Sequence, residues 1–356
     1  MKPIYLQIPD RQPALSPLVL ATVTETIGSA PQKAGCSALF DKTGLLSGTV
    51  GGGVMEGKVL QIVQNTLRSN RSGLYHFELD HDISQYEEAV CGGRMTILVD
   101  ATPENHLEIF EQMNHSLRHR IPGVLVTKVN KAPDNQISIH RFWVNEHSMD
   151  NLPHENFHQI APEIRNMLED DNPGNYKEVA AQGEEQDVRF FLEKVFPLPQ
   201  LVIIGAGHIG KALSHLGNLL DFEITVIDDR EEYANYENLP DADHIIVDEI
   251  GNALTRLDIA ADTYVVIVSR GHVHDAEALK SCIGSEAAYL GMIGSKRKVS
   301  LMRKQFMDEG WATAEQWDAV HTPVGLKIYS KTVQEIAVSI AAQLILIRNQ
   351  QNTGHA

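Results

Sequence analysis

The chain has 356 residues, 43% of them hydrophobic, and a formal net charge of −17. That length exceeds one ordinary core, so two domains are expected, and the acidity excludes a general affinity for nucleic acid or anionic membrane surfaces. No apolar run reaches the ~18 residues of a spanning helix and the start lacks the apolar core of a signal peptide, so a cytoplasmic protein with no membrane partner is expected.

In chain order, residues 18–26 and 35–41 read as strands, and Asp41-Lys42-Thr43-Gly44 reads as a hairpin turn into residues 45–50. After the triple glycine at 51–53, Met55, Val59, Ile62, Val63 and Leu67 recur at helical spacing. Strands follow at 74–79 and 94–100, then a helix over 105–119, then strands at 124–129 and 137–142. Residues 150–186 turn acidic and irregular, with Asp170-Asp171-Asn172-Pro173-Gly174 as a breaker. The second half alternates strands at 201–204, 223–228, 244–247 and 264–269 with helices, the first over 208–220. Apolar strands separated by helices indicate a parallel sheet covered on both faces. The expected fold class is therefore α/β: a mixed α+β domain over 1–185, a linker over 186–198, and a Rossmann-like doubly wound parallel sheet over 199–356. The final helix places Val333, Ile336, Ala337, Ile340, Ala341, Leu344 and Ile345 on a broad stripe, widened by Val338, Leu346 and Ile347, and a homodimer is expected from that breadth.

Glycine marks two ligand loops. Gly48-Thr49-Val50-Gly51-Gly52-Gly53 opens the first helix, so free N–H groups point at whatever the loop holds, and Cys91-Gly92-Gly93 follows forty residues on. Glu56 fits either a first-turn acid or a ligand contact. Cys36, Cys91 and Cys282 are too few and too far apart for a disulfide framework. Cys36 and Cys282 read as packing residues, and Cys91, flanked by glycines, as a candidate functional thiol. In the second half, Gly205-x-Gly207-x-x-Gly210 follows a strand and opens a helix, and Asp228 closes the next strand, as a dinucleotide fingerprint requires. Arg230 favours a 2′-phosphate there and Asp228 opposes it. His272, His274 and Asp275 fit either a metal site or a polar helix start. Gly291 to Lys298, including Ser295, fits either an anion site or a solvated helix N-terminus.

Gly28-Ser29-x-Pro31, the loop Gly48 to Glu56, Cys91-Gly92-Gly93, Gly205 to Gly210, Arg270-Gly271-His272-x-x-Asp275, Leu290 to Lys298 and Pro323-Val324-Gly325, taken in order, resemble the xanthine dehydrogenase accessory protein (XdhC/CoxI) family over residues 17–347. The resemblance implies a non-catalytic maturation factor. Such a factor binds molybdenum cofactor (molybdopterin), protects it while a cysteine desulfurase helps replace an oxo ligand by sulfide, and delivers it to a molybdenum hydroxylase of the xanthine dehydrogenase type. The expected cofactor contacts are Gly51, Gly52, Gly53, Glu56, Cys91, Gly92 and Gly93 in the first domain. In the second they are Gly205, Gly207, His208, Gly210, Asp228, His272 and Ser295. Many relatives carry a cysteine directly after the glycine run, whereas this chain has Val54-Met55, so thiol chemistry rests on Cys91. The alternative reading is an NAD(P)-dependent oxidoreductase, and a third makes the Rossmann half a nucleotide sensor.

Overall fold

The computed structural model describes residues 3–11, 17–79, 92–133, 136–149, 154–169, 176–180 and 187–353. It divides into two compact units, residues 2–197 and 198–356. No described helix is long and apolar enough to cross a membrane.

The first unit opens with β1 (Val19–Gly28), β2 (Ser37–Asp41) and β3 (Gly44–Gly48), then α1 (Gly53–Ser69), β4 (Gly73–Leu79) and β5 (Gly93–Asp100). These five strands form an antiparallel sheet of order β3-β2-β1-β5-β4. Next come α2 (Leu107–Arg118), β6 (Gly123–Lys131), β7 (Ile137–Val144), α3 (His154–Glu169), β8 (Tyr176–Ala180) and β9 (Asp187–Val195), with a second antiparallel sheet of order β7-β6-β9-β8. Side-chain alternation assigns the faces. Val19, Ala21 and Val23 of β1 meet Met55, Val59 and Val63 of α1 on one side. Leu18 and Leu20 face Leu125, Trp143 and Val195 of the other sheet, together with Phe110 and Met113 of α2. Phe157, Ile160, Ile164 and Met167 of α3 cover that sheet's far face. The helix spacing of α1 is legible in Met55, Val59 and Val63, and the helix stops where Asn70 turns left-handed at φ 52° and returns its N–H to Thr66.

Two expectations fail here. The residues expected as a linker, 186–198, include β9, a strand paired on both sides by β6 and β8. The acidic stretch expected to be irregular holds α3 and β8, because Phe157, Ile160 and Ile164 supply a buried stripe that outweighs the internal Pro162.

The second unit runs β10 (Gln200–Ile204), α4 (His208–Leu219), β11 (Glu223–Asp228), β12 (His244–Val247), α5 (Ile250–Leu254), β13 (Thr263–Ile267), α6 (His272–Cys282), β14 (Tyr289–Met292), α7 (Lys296–Asp308), α8 (Ala314–Asp318) and α9 (Val333–Thr353). Its sheet has order β12-β11-β10-β13-β14 and every pairing is parallel. Strand order therefore reverses between β10 and β13, where such sheets open a crevice at their carboxyl ends. One face, with Leu201 and Ile203, packs on Leu213 of α4 and Ile340 and Leu344 of α9. The other, with Val202, Ile204 and Ile267, packs on Leu279, Met302, Phe306 and Trp317. In the expected stripe of α9, Ala337, Ile340, Ala341 and Leu344 are buried, while Val338 and Leu346 stay exposed.

Candidate functional site

The crevice of the second unit is built by glycine. Gly205 leaves β10 at φ 117°, and a Cβ on it would lie 2.6 Å from the Val268 carbonyl oxygen and 2.8 Å from Ser269 Cα. A Cβ on Gly210 would stand 1.9 Å from the Gly205 oxygen, whereas Gly207 has open space at that position. The turn is thus pressed against the end of β13, and α4 follows Gly207, its N-cap residue, with no side-chain cap on its amides. Such amides, with the helix dipole behind them, receive an anion. His208, the first residue of α4, is exposed.

At the end of β11 the expected ribose acid is already engaged. Asp228 is 4% exposed. Its Oδ2 accepts from Ala206 N at 2.7 Å and from Arg230 Nη2 at 2.8 Å, and its Oδ1 accepts from Arg230 Nε at 2.8 Å and Arg230 N at 3.1 Å. Burial pushes this carboxyl up, but the Arg230 guanidinium and the two backbone amides outweigh it and hold it below its ordinary value. The Arg230 guanidinium also stacks on Tyr233, 4.1 Å from the ring centroid.

Across the turn, Asp275 is fully buried, and its carboxylate accepts from Ser269 Oγ and from Lys298 Nζ. Of the two alternatives for this segment, the metal site finds no support, since no group of three or more His, Cys, Asp or Glu able to hold a metal occurs among the described residues. The segment is the polar start of α6, with Asp275 in its first turn, although the Asp275 side chain does not cap the helix. His272 and His274 are exposed on the first turn of α6. Ser295 caps α7 by accepting from Lys298 N, so its hydroxyl serves the helix that carries Lys298. Sequence reasoning missed Ser269 and Lys298 as the partners of Asp275, and Arg230 as the partner of Asp228. Their common signal was position, just beyond the carboxyl end of a strand in a parallel sheet.

In the first unit, the two glycine segments expected at the ligand site, residues 51–53 and 92–93, meet the segment from Gly28 to Pro31. Gly28 pairs with Gly93 across β1 and β5, and a Cβ on Gly93 would lie 2.5 Å from the oxygens of Ile27 and Ser29. A Cβ on Gly51 would lie 2.9 Å from Pro31 Cγ. Gly52, Gly53 and Gly57 have no heavy atom within 4 Å of that position, and α1 starts without a side-chain cap. Glu56 accepts from Thr49 Oγ1 at 2.7 Å, and that hydroxyl accepts from Gly51 N at 3.3 Å, which ties the loop to the first turn of α1. Gly92 is exposed beside this convergence, and Cys91 lies outside the described residues. Cys36 is half-buried against the α1 core with Sγ donating to Gln32, and Cys282 is fully buried with its thiol pushed up to about 12 by burial.

The XdhC Rossmann domain matches residues 201–344, and the XdhC and CoxI family model matches residues 14–78, together more than half of the chain. The chain belongs to the XdhC and CoxI family. The first match encloses the Gly205 turn, Asp228, Asp275 and Lys298, and the second encloses the loop from Gly48 to Gly57. Among curated relatives, the uncharacterized protein YqeB of Escherichia coli (strain K12) is 37% identical over 157 residues, which are 44% of this chain and 28% of that protein. The match with this relative thus spans under a third of its length. A probable xanthine dehydrogenase component of Bacillus subtilis (strain 168) is 25% identical over 335 residues, 93% of each chain. A crystal structure of a xanthine dehydrogenase from Bacillus halodurans shares the fold at a TM-score of 0.69 and 22% identity, over 97% of this chain and 95% of that one.

The XdhC-type first unit also holds a polar network between its sheets that no sequence motif announces. Arg141, 4% exposed, donates through Nη1 to Asp100 and, at 3.2 Å, to His106 Nδ1, while His106 Nε2 donates to the Ile139 carbonyl at 3.2 Å. These bonds require the neutral imidazole, and burial with the neighbouring Arg141 charge pushes His106 down to about 4. Nearby, Tyr5 Oη donates to Glu193 at 2.7 Å, and burial pushes Glu193 up to about 7.

Proposed function

We propose that this chain is an accessory factor for a molybdenum hydroxylase of the xanthine dehydrogenase type, which binds molybdenum cofactor transiently in its first unit and passes it to that enzyme. The observation that carries this reading is the convergence of Gly28, Gly51 to Gly53 and Gly93 at the uncapped N-terminus of α1. The cofactor is a pterin dithiolene ending in a phosphate. Backbone amides at a helix N-terminus suit the phosphate, and the open space at Gly52, Gly53 and Gly57 suits the flat ring. When bound, the group brings the metal and sulfur chemistry that the receiving enzyme needs. This chain's own part is to hold, shield and release. Thr49 and Glu56 fix the loop so that its amides keep their aim, and Cys91 is the candidate soft ligand. A cysteine desulfurase is the expected second partner, and a homodimer the expected assembly. A nucleotide in the second unit would bias release, since its crevice offers the uncapped amides at the start of α4 to a phosphate.

The test is anaerobic. Purified chain is mixed with freshly released cofactor and desalted, and co-eluting molybdenum is measured for the wild type and for Gly53→Val and Cys91→Ala. Near-stoichiometric molybdenum that falls in both variants is expected. Equal retention by all three, or none by the wild type, overturns the reading.

A further inference from the structure

Asp228 closes the second parallel strand of a dinucleotide-type sheet, where an acid ordinarily accepts hydrogen bonds from the hydroxyls of the adenine ribose. A carboxylate offers about four lone-pair positions. Here four donors fill them: the Ala206 amide, the Arg230 amide, and Arg230 Nε and Nη2. No acceptor is left for a diol. What the strand end presents instead is the outer edge of Arg230, whose Nη1 makes no hydrogen bond among the described residues and whose plane is fixed by Asp228 on one edge and Tyr233 on one face. Fixing the fork in advance lowers the ordering cost of each bond it makes to a ligand. The polarity of this subsite is thus donor, and a ribose group that fits it must be an acceptor with several oxygens.

The space beside it is sufficient. A cavity of about 810 Å3 runs from Ala206 and Gly207 along α4 to Tyr233 and α9, and Lys211 and Asn238 stand in its wall. Tyr233 belongs to both features, so a base lodged in the cavity would carry its ribose to Arg230, with the Lys211 ammonium available from α4. Asp229, Glu231 and Glu232 lie on the same loop and are exposed, so with Asp228 the carboxylates outnumber Arg230 and Lys211, the net charge there is negative, and discrimination falls to the oriented donors.

We propose that Arg230, locked by Asp228, makes the second unit select an adenine dinucleotide that carries a 2′-phosphate over one with a free 2′,3′-diol. This rests on the reading that the unit holds a nucleotide. The test uses the full chain and calorimetric titration with NADPH, NADH, 2′,5′-ADP and 5′-AMP. NADPH is expected to bind at least about tenfold more tightly than NADH, and 2′,5′-ADP at least about tenfold more tightly than 5′-AMP, the size of one charge-assisted phosphate contact. Arg230→Ala removes the two guanidinium bonds and frees one acceptor position on each Asp228 oxygen, so it should weaken NADPH, strengthen NADH and reverse the order. That ratio is one that lost stability alone would not move. If Arg230→Ala does not fold, Lys211→Gln should weaken NADPH and leave NADH unchanged. NADH binding as tightly as NADPH in the wild type overturns the selectivity and leaves the nucleotide reading standing. If none of the four binds, both are overturned.

Discussion

Among the described residues, Lys298 is the one cation that compensates the buried Asp275 charge, with Ser269 supplying a further hydrogen bond. Asp275 has no solvent access, so removing the ammonium strands a carboxylate. Lys298→Met should therefore destabilise the chain by about 3–5 kcal/mol, and the double variant Lys298→Met with Asp275→Asn should recover most of that. Urea midpoints read both, and an unchanged midpoint for the single variant would show that the pair is not coupled. Gly210 is a second sensitive residue. Backbone stands 1.9 Å from its missing Cβ, and the carbonyl that blocks it belongs to the turn itself. Gly210→Ala should cost roughly 1–3 kcal/mol and abolish nucleotide binding, because the turn must open to admit one methyl.

Elements of the first unit carry two titrations of opposite sign. Glu193 on β9 is raised from 4.5 to about 7, so its contribution is fully present below pH 4.5 and is lost as pH rises through 7. His106, just before α2, is lowered from 6.5 to about 4, so its contribution is present above pH 6.5 and is lost as pH falls through 4. The windows overlap and largely cancel. Relative to wild type, Glu193→Gln should gain stability as pH rises from 4.5 to 7, and His106→Gln should gain it as pH falls from 6.5 to 4. Each gain is at most roughly 3 kcal/mol, reduced by the residual exposure of both residues. Melting temperatures across pH 4 to 8 check this, and two variants that merely run parallel to wild type would refute it. In the second unit α9 is bonded to the sheet side through Gln343, whose Oε1 accepts from Tyr289 Oη at 2.6 Å and Gly325 N at 2.7 Å. Gln343→Leu leaves both donors unpaired and should cost about 2–4 kcal/mol in chemical denaturation.

For the molecule as a whole, each unit has its own buried core, so calorimetry should resolve two transitions. NADPH at a hundredfold its Kd should stabilise one of them by about 2.7 kcal/mol and leave the other in place. The parallel half was legible because residues 201–204, buried along their whole length, read as an unbroken apolar run, and because Gly205 and Gly210 announce a turn no other residue could make. The first half was less so. β9 lies in the stretch expected as a linker, and its Glu193 and Lys194 find partners only in the fold, Tyr5 for the one and the Leu168 carbonyl for the other. The fingerprint acid at Asp228 was visible, but its saturation was not, since the second donor lies in the Gly205 turn and only folding shows which lone pairs remain. Ser269, Asp275 and Lys298 come from three separate loop and helix starts, and no spacing rule joins them.

Gly53 and Gly57 lie in the first turns of α1, where alanine would be the better helix former by about 0.5–1 kcal/mol per position, and neither has a neighbour that a methyl group would strike. Neither has the left-handed backbone that would demand glycine. The folded chain alone therefore gives no reason for these two residues, and selection for stability would remove them. On the cofactor site proposed above, that bare backbone is the room the ligand takes, and Gly57→Ala should separate the two interests cleanly: a chain that melts later and retains less molybdenum.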